Sequence, residues 1–212
     1  MSYSLEEIKR DIRDMDCRQF YLQHILRSDN WYFENILNYS PADISKVSDD
    51  FRMTISESMG ISFNSIMIVG SGKIGYSLSP QEKMFAPFCT DEKGGRKISD
   101  IDVAIISSDL FSEFWKLFRA SYSSKYSLTY KKLYNEIYRG YINEKNIQEV
   151  DICRQKWIPI SAESKKMLAD KLFIRHEITY RIYRSWEDFE EYNLININKL
   201  KKRLSEVEYG TV

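Results

Sequence analysis

Two short stretches carry residues able to handle phosphate and metal. Gly70-Ser71-Gly72-Lys73 follows the apolar run Ile66-Met67-Ile68-Val69, and Asp100-Ile101-Asp102 precedes a second run, Val103-Ala104-Ile105-Ile106. Glycines in the turn remove the Cβ obstruction, so backbone N–H groups can approach phosphate oxygens; the Ser71 hydroxyl adds a hydrogen bond and Lys73 adds charge toward a triphosphate. Alternate residues of a strand share a face, which puts Asp100 and Asp102 on one side about 7 Å apart while Ile101 and Val103 face the core. Paired hard oxygen donors suit two Mg²⁺ ions, with Mn²⁺ able to substitute. The only histidines, His24 and His176, have no cysteine at metal-ligand spacing, so imidazole and thiolate metal chemistry has little to work with.

Other phosphate-binding readings fit less well. Gly70-Ser71-Gly72-Lys73-Ile74-Gly75 satisfies the GxGxxG spacing of a dinucleotide-binding turn. That turn opens a long helix, whereas Tyr76-Ser77-Leu78-Ser79-Pro80 interrupts one at once. Its ribose-binding acid ends a strand, whereas Asp100 and Asp102 begin one. A Walker A loop is excluded because Lys73 comes too soon after Gly70 and is followed by Ile74. Taken alone, Ser99-Asp100 is ordinary turn chemistry before a buried strand. The glycine-serine turn upstream is what favours phosphate and metal.

The elements that must position these residues follow from pattern. Ser4-Leu5-Glu6-Glu7 has capping-box spacing ahead of Ile8 and Ile12, and predicts a helix broken near Ser28-Asp29-Asn30. Ser40-Pro41 and Gly60 bound a second predicted helix over 41–59. The runs 66–69 and 102–106 read as buried strands. Between them, Pro80, Pro87 and Gly94-Gly95 make 76–99 an ordered excursion or a flap. Asp109 is placed to cap a helix whose stripe is Leu110, Phe111, Phe114, Trp115 and Phe118. Leu133, Ile137, Tyr138 and Tyr141 suggest another helix. Alternation over 147–153 and again over 174–182 predicts two more strands, and Ser185 caps a terminal helix. The resulting plan is α+β: a helical segment 1–60, a core 61–184 with the insertion 76–99, and a helix 185–212.

Val69-Gly70-Ser71 followed by Asp100-Ile101-Asp102-Val103 resembles the signature of the DNA polymerase beta type nucleotidyltransferase superfamily, across roughly the middle third of the chain. The spacer between the two halves is longer than is usual there. The resemblance implies a mixed twisted sheet flanked by helices, carrying N- and C-terminal helical additions. It further implies a magnesium-dependent, two-metal enzyme that moves NMP or dNMP from ATP or another nucleoside triphosphate to a hydroxyl and releases pyrophosphate. A third carboxylate from a neighbouring strand is expected in such a site. Asp151 is the choice for that catalytic and metal-binding role, with Glu149 in reserve. The opening of the spacer, Lys73-Ile74-Gly75-Tyr76-Ser77-Leu78-Ser79-Pro80, is similar to small stand-alone bacterial nucleotidyltransferases of antiviral defence. Expected roles are therefore synthesis of an oligonucleotide signal beside an effector, or modification of tRNA or protein by a toxin with an antitoxin partner. A catalytically silent nucleotide-binding module is the remaining alternative.

Composition bounds these readings. The 31 basic and 31 acidic residues of the 212 cancel, so any nucleic-acid acceptor site must be local. One local excess stands out. Lys116, Arg119, Lys125, Lys131, Lys132 and Arg139 interleave with Tyr122, Tyr126, Tyr130, Tyr134 and Tyr138 against the single acid Glu136, either as an acceptor surface or as a solvated helix face. Arg175, Arg181 and Arg184 are set to hold phosphate or to pair with Glu187, Asp188, Glu190 and Glu191; pairing is the commoner outcome. His176 and Cys153 read as core residues. Three scattered cysteines, no secretion signal and no apolar run of roughly 20 residues lead us to expect a cytoplasmic protein that does not insert in membranes.

Overall fold

A computed structural model describes residues 2–81, 83–92 and 97–208, so Gly94-Gly95 of the predicted excursion lies outside the described residues. In chain order the elements are α1 (Leu5–Asp14), α2 (Cys17–Phe20), a π-helical turn (Tyr21–Leu26), α3 (Trp31–Asn35), α4 (Ile44–Met59), β1 (Ile66–Val69) and α5 (Gly70–Ile74). There follow β2 (Ile101–Ile106), α6 (Ser108–Ala120), α7 (Ser127–Tyr138), β3 (Tyr141–Asn143), α8 (Glu144–Glu149), α9 (Asp151–Leu172), β4 (Ile178–Tyr183) and α10 (Trp186–Glu208). Two compact units contain them: Met1–Val47, Ile68–Ile101 and Glu190–Val212 in the first, and Ser48–Met67 and Asp102–Phe189 in the second. Among the described residues no helix is long and apolar enough to cross a membrane.

The first unit is built on capped helices. Ser4 Oγ accepts from the Glu7 amide at 3.3 Å while the Glu7 carboxylate accepts from the Ser4 amide at 2.8 Å, satisfying two donors that a helix start leaves unpaired. Asp16 caps α2 through a second such box with Gln19, and Asn30 caps α3 by accepting from the Tyr32 and Phe33 amides. Ile8, Ile12, Phe20, Ile25, Tyr32 and Phe33 are buried beneath these turns. The predicted break at Ser28-Asp29-Asn30 is present. Pro41 sits in a turn closed by the Asp43 amide on the Ser40 carbonyl, so α4 starts at Ile44, later than Ser40-Pro41 suggests.

The second unit contains most of a mixed four-stranded sheet of order β1-β2-β4-β3, so the fold is α+β as expected. β3 and β4 are antiparallel, with Tyr141 opposite Tyr183 and Asn143 opposite Arg181. β2 and β4 run in the same direction: Asp102 lies beside Thr179 near their starts, and the Ser107 amide donates to the Tyr183 carbonyl at 2.9 Å near their ends. A parallel pair needs a long crossover, which α6 to α9 supply. Ser107, not Asp109, caps α6, and its Phe111, Phe114 and Phe118 are buried. Phe114 and Tyr180 both meet the ring of Trp157 edge-on, at 5.7 and 5.6 Å.

Three expectations are corrected here. Residues 147–149 end α8 and 151–153 start α9, with Val150 extended between the two helices; Ile147, Val150 and Cys153 are fully buried, while Ile152, on the face that alternation would share with Val150, is exposed. Tyr141 belongs to a strand, not to the preceding helix. β4 begins at Ile178, which leaves His176 half-buried in a bend instead of in the core. Cys153 is buried as expected, and burial pushes its thiol up to about 12.

Candidate functional site

β1 leads straight into the glycine-serine turn, which lies in the first unit. Gly70 has φ +64°, in the left-handed region where a side chain is disfavoured, and this redirects the chain from β1 into α5. Gly75, with φ +86°, ends that helix as its amide donates to the Ser71 carbonyl at 2.8 Å. A Cβ there would lie 2.7 Å from Trp31 Nε1, so both the torsion and the Trp31 ring require glycine.

The turn comes to rest against the aspartate segment. A Cβ on Gly72 would meet Ile101 Cγ2 at 3.7 Å and the Ile101 Cα at 3.9 Å. Ile101 is fully buried and stands between Asp100 and Asp102 in the chain. The two halves of the sequence signal, separated by nearly thirty residues, therefore meet at this residue. The intervening segment is ordered where described. Tyr76 bridges Pro87, the Phe88 amide donates to the Gly75 carbonyl at 2.8 Å, and Cys89 exchanges hydrogen bonds with Ser99, the neighbour of Asp100.

Asp100, in the first unit, is half-exposed just before β2. In the second unit, Asp102 is half-exposed on β2 and accepts from Thr179 Oγ1 at 3.3 Å. Thr179 has no chemical signature of its own in the sequence beyond being one of the polar positions 175, 177, 179 and 181 of the alternating stretch. Arg181 shares that strand face and stacks its guanidinium over Tyr141, 5.3 Å from the ring centre. Arg184 instead forms a two-pronged pair with Asp188, at 2.8 and 2.7 Å, as the pairing expectation had it.

The remaining candidates lie elsewhere. Asp151 opens α9, where it accepts from Lys125 at 2.7 Å, Tyr126 at 2.6 Å and Arg154. Its carboxyl is held well below the usual range chiefly by Lys125 and Tyr126. Glu149 accepts from Thr129 at 2.6 Å and faces Lys132 at 3.6 Å. Among the described residues no three His, Cys, Asp or Glu side chains gather in a group that could hold a metal. The structure thus does not bring Asp151 or Glu149 into a three-acid cluster with Asp100 and Asp102.

Comparison with protein-family models, curated proteins and solved structures gives no match.

Lys73 is turned into the first unit. It is buried, and its ammonium donates to the Arg27 carbonyl just past the π-helical turn, in a small recess lined by His24, Asp29 and Trp31. His24 is itself buried against Asp11 at 3.0 Å, and burial lowers its pKa. The Lys73 contact ties α5, and so the glycine-serine turn, to the N-terminal helices. Lys73→Met is expected to cost about 1–3 kcal/mol of stability by leaving the Arg27 carbonyl unpaired, and to speed hydrogen exchange at the Gly75 amide. A raised nucleotide KM with stability unchanged would instead mark Lys73 as a phosphate ligand.

Proposed function

We propose that the chain is a Mg²⁺-dependent nucleotidyltransferase that moves a nucleoside monophosphate from a triphosphate to a hydroxyl acceptor. The observation that carries this reading is the packing of Gly72 on Ile101, which sets a phosphate-competent turn beside the residue flanked by Asp100 and Asp102. The donor set fits magnesium: two carboxylates with a hydroxyl nearby, no soft ligand, and positions left for water and phosphate oxygens. Asp100 and Asp102 would hold the ion, which supplies activation of the attacking hydroxyl and charge for the leaving pyrophosphate. Amides of the Gly70-Ser71-Gly72 turn bind the phosphates, with the Ser71 hydroxyl as a further donor. Thr179 orients the Asp102 carboxylate. Arg181, on the same strand face, adds positive charge.

The position of Asp151, committed to Lys125, Tyr126 and Arg154, favours a second reading. On that reading the chain is a nucleotide-binding module that keeps the turn and lacks turnover. Labelled nucleotides separate the two. Transfer predicts Mg²⁺-dependent pyrophosphate release from at least one NTP or dNTP. Products formed from nucleotide alone would place the chain among oligonucleotide-signal synthases of the defence type, and label moving only onto added tRNA or protein would make it a modifying toxin. Nucleotide binding with no release under any acceptor condition overturns the transferase reading in favour of the silent module.

A further inference from the structure

The face of α7 turned to solvent carries a group of large side chains left in water. Leu128, Tyr134 and Tyr138 on α7 are 76%, 73% and 83% exposed, and Tyr122 just before it is 78% exposed. Large side chains of this kind normally bury most of their area, and a cluster of them left in water marks a contact surface. Helical spacing puts Tyr134, Tyr138, Lys131, Asn135 and Leu128 on one side, with Lys132 and Arg139 at its edge. The buried Thr129 and Leu133 face the opposite way.

Charge selects the partner. Between Trp115 and Gly140 there are six cations and one acid, in a chain that is neutral overall. The acid, Glu136, is half-buried and occupied by the Asn143 amide at 3.0 Å. Lys132 and Lys125 are paired with Glu149 and Asp151, but among the described residues Lys131 and Arg139 have no ion-pair partner. Tyrosines and unpaired cations alternating on one face, with no acid among them, match a polyanion that also carries flat rings. Tyr134 and Tyr138 are one turn apart, about 6 Å along the axis, within reach of neighbouring bases.

We propose that this face of α7, extended by Tyr122, is a docking surface for single-stranded nucleic acid, with bases stacking on Tyr134 and Tyr138 and phosphates meeting Lys131 and Arg139. As a binding surface it stands independently of transfer chemistry. Its service as the acceptor site rests on the proposed nucleotidyl transfer.

Fluorescence anisotropy with labelled single-stranded RNA and DNA oligomers, in EDTA and without nucleotide, tests the surface. Tyr134→Ala with Tyr138→Ala should weaken binding by at least about tenfold, since base stacking on aromatic rings dominates such contacts. Lys131→Ala and Arg139→Ala should each lower the slope of log K against log salt by about 0.7. All four side chains are exposed, so thermal midpoints should not move. Binding that persists in Asp102→Asn shows that the surface is separate from the transfer chemistry; transfer without strand binding leaves the enzyme reading intact and overturns this one. Wild-type affinity in the double tyrosine variant overturns it too. So does equal competition by an acidic polypeptide, or a dimer of this chain that the tyrosine changes dissolve.

Discussion

Asp102→Asn is expected to lower Mg²⁺-dependent pyrophosphate release by about 10³-fold while leaving the fold intact. Asparagine keeps the shape of the side chain and an oxygen that can still accept from Thr179 Oγ1. The change removes only the negative charge. If that charge holds a divalent cation, its loss forfeits several kcal/mol of transition-state stabilisation, and roughly 4 kcal/mol corresponds to a thousandfold rate. Asp100→Asn should behave alike. Asp151→Asn is the contrasting case, because that carboxylate is engaged by Lys125, Tyr126 and Arg154. Its effect on turnover should stay within about tenfold, far short of a metal ligand's. Equal losses at Asp102 and Asp151 would restore a three-carboxylate site. Undiminished release in Asp102→Asn would end the transferase reading.

The contrast between Asp102 and Asp151 also shows what the chain's pattern could and could not disclose. The runs 66–69 and 103–106 are apolar throughout and bounded by glycine or aspartate, which suits a buried strand; the turn and the aspartate pair could be placed from them directly. The α6 stripe was equally legible because Phe111, Phe114 and Phe118 obey one period only. The stretch 147–153 obeys two periods at once, and local pattern offers no means of choosing. What chooses is Trp157, four residues beyond the stretch and one turn after Cys153 on α9, whose fully buried ring meets Phe114 and Tyr180. Lys73 was opaque for a different reason. Its direction depends on where the Arg27 carbonyl ends up after a π-helical turn, a feature without a strong sequence signature. Thr179 was visible only as one polar residue among several, until β4 was set beside β2.

Glu144→Ala is expected to cost about 3–5 kcal/mol of folding stability, the range for removing one partner of a buried charged network. Glu144 is 3% exposed, yet every donor around it is matched. Its Oε1 accepts from Trp157 Nε1 at 2.9 Å, Gln148 at 3.0 Å and Lys165 at 3.1 Å, and its Oε2 from the Tyr180 amide at 2.8 Å. One carboxylate thereby joins α8, α9 and β4, the strand that carries Thr179. Alanine would strand the indole N–H and the Tyr180 amide in a water-poor interior and leave the Lys165 ammonium without its counter-charge, in addition to opening a cavity. Glutamine should lose less, because its oxygen still serves one side of the network while its amide group opposes donors on the other. Urea unfolding monitored by tryptophan fluorescence checks both, and a fall in midpoint at constant m assigns the loss to the native state. Because β2 and β4 are neighbours, the partly destabilised Glu144→Gln protein, assayed well below its unfolding midpoint, should also turn over more slowly if Thr179 orients Asp102. A Glu144→Ala unfolding free energy within about 1 kcal/mol of wild type would show that the network contributes little, since leaving even a single buried donor unpaired costs about that much.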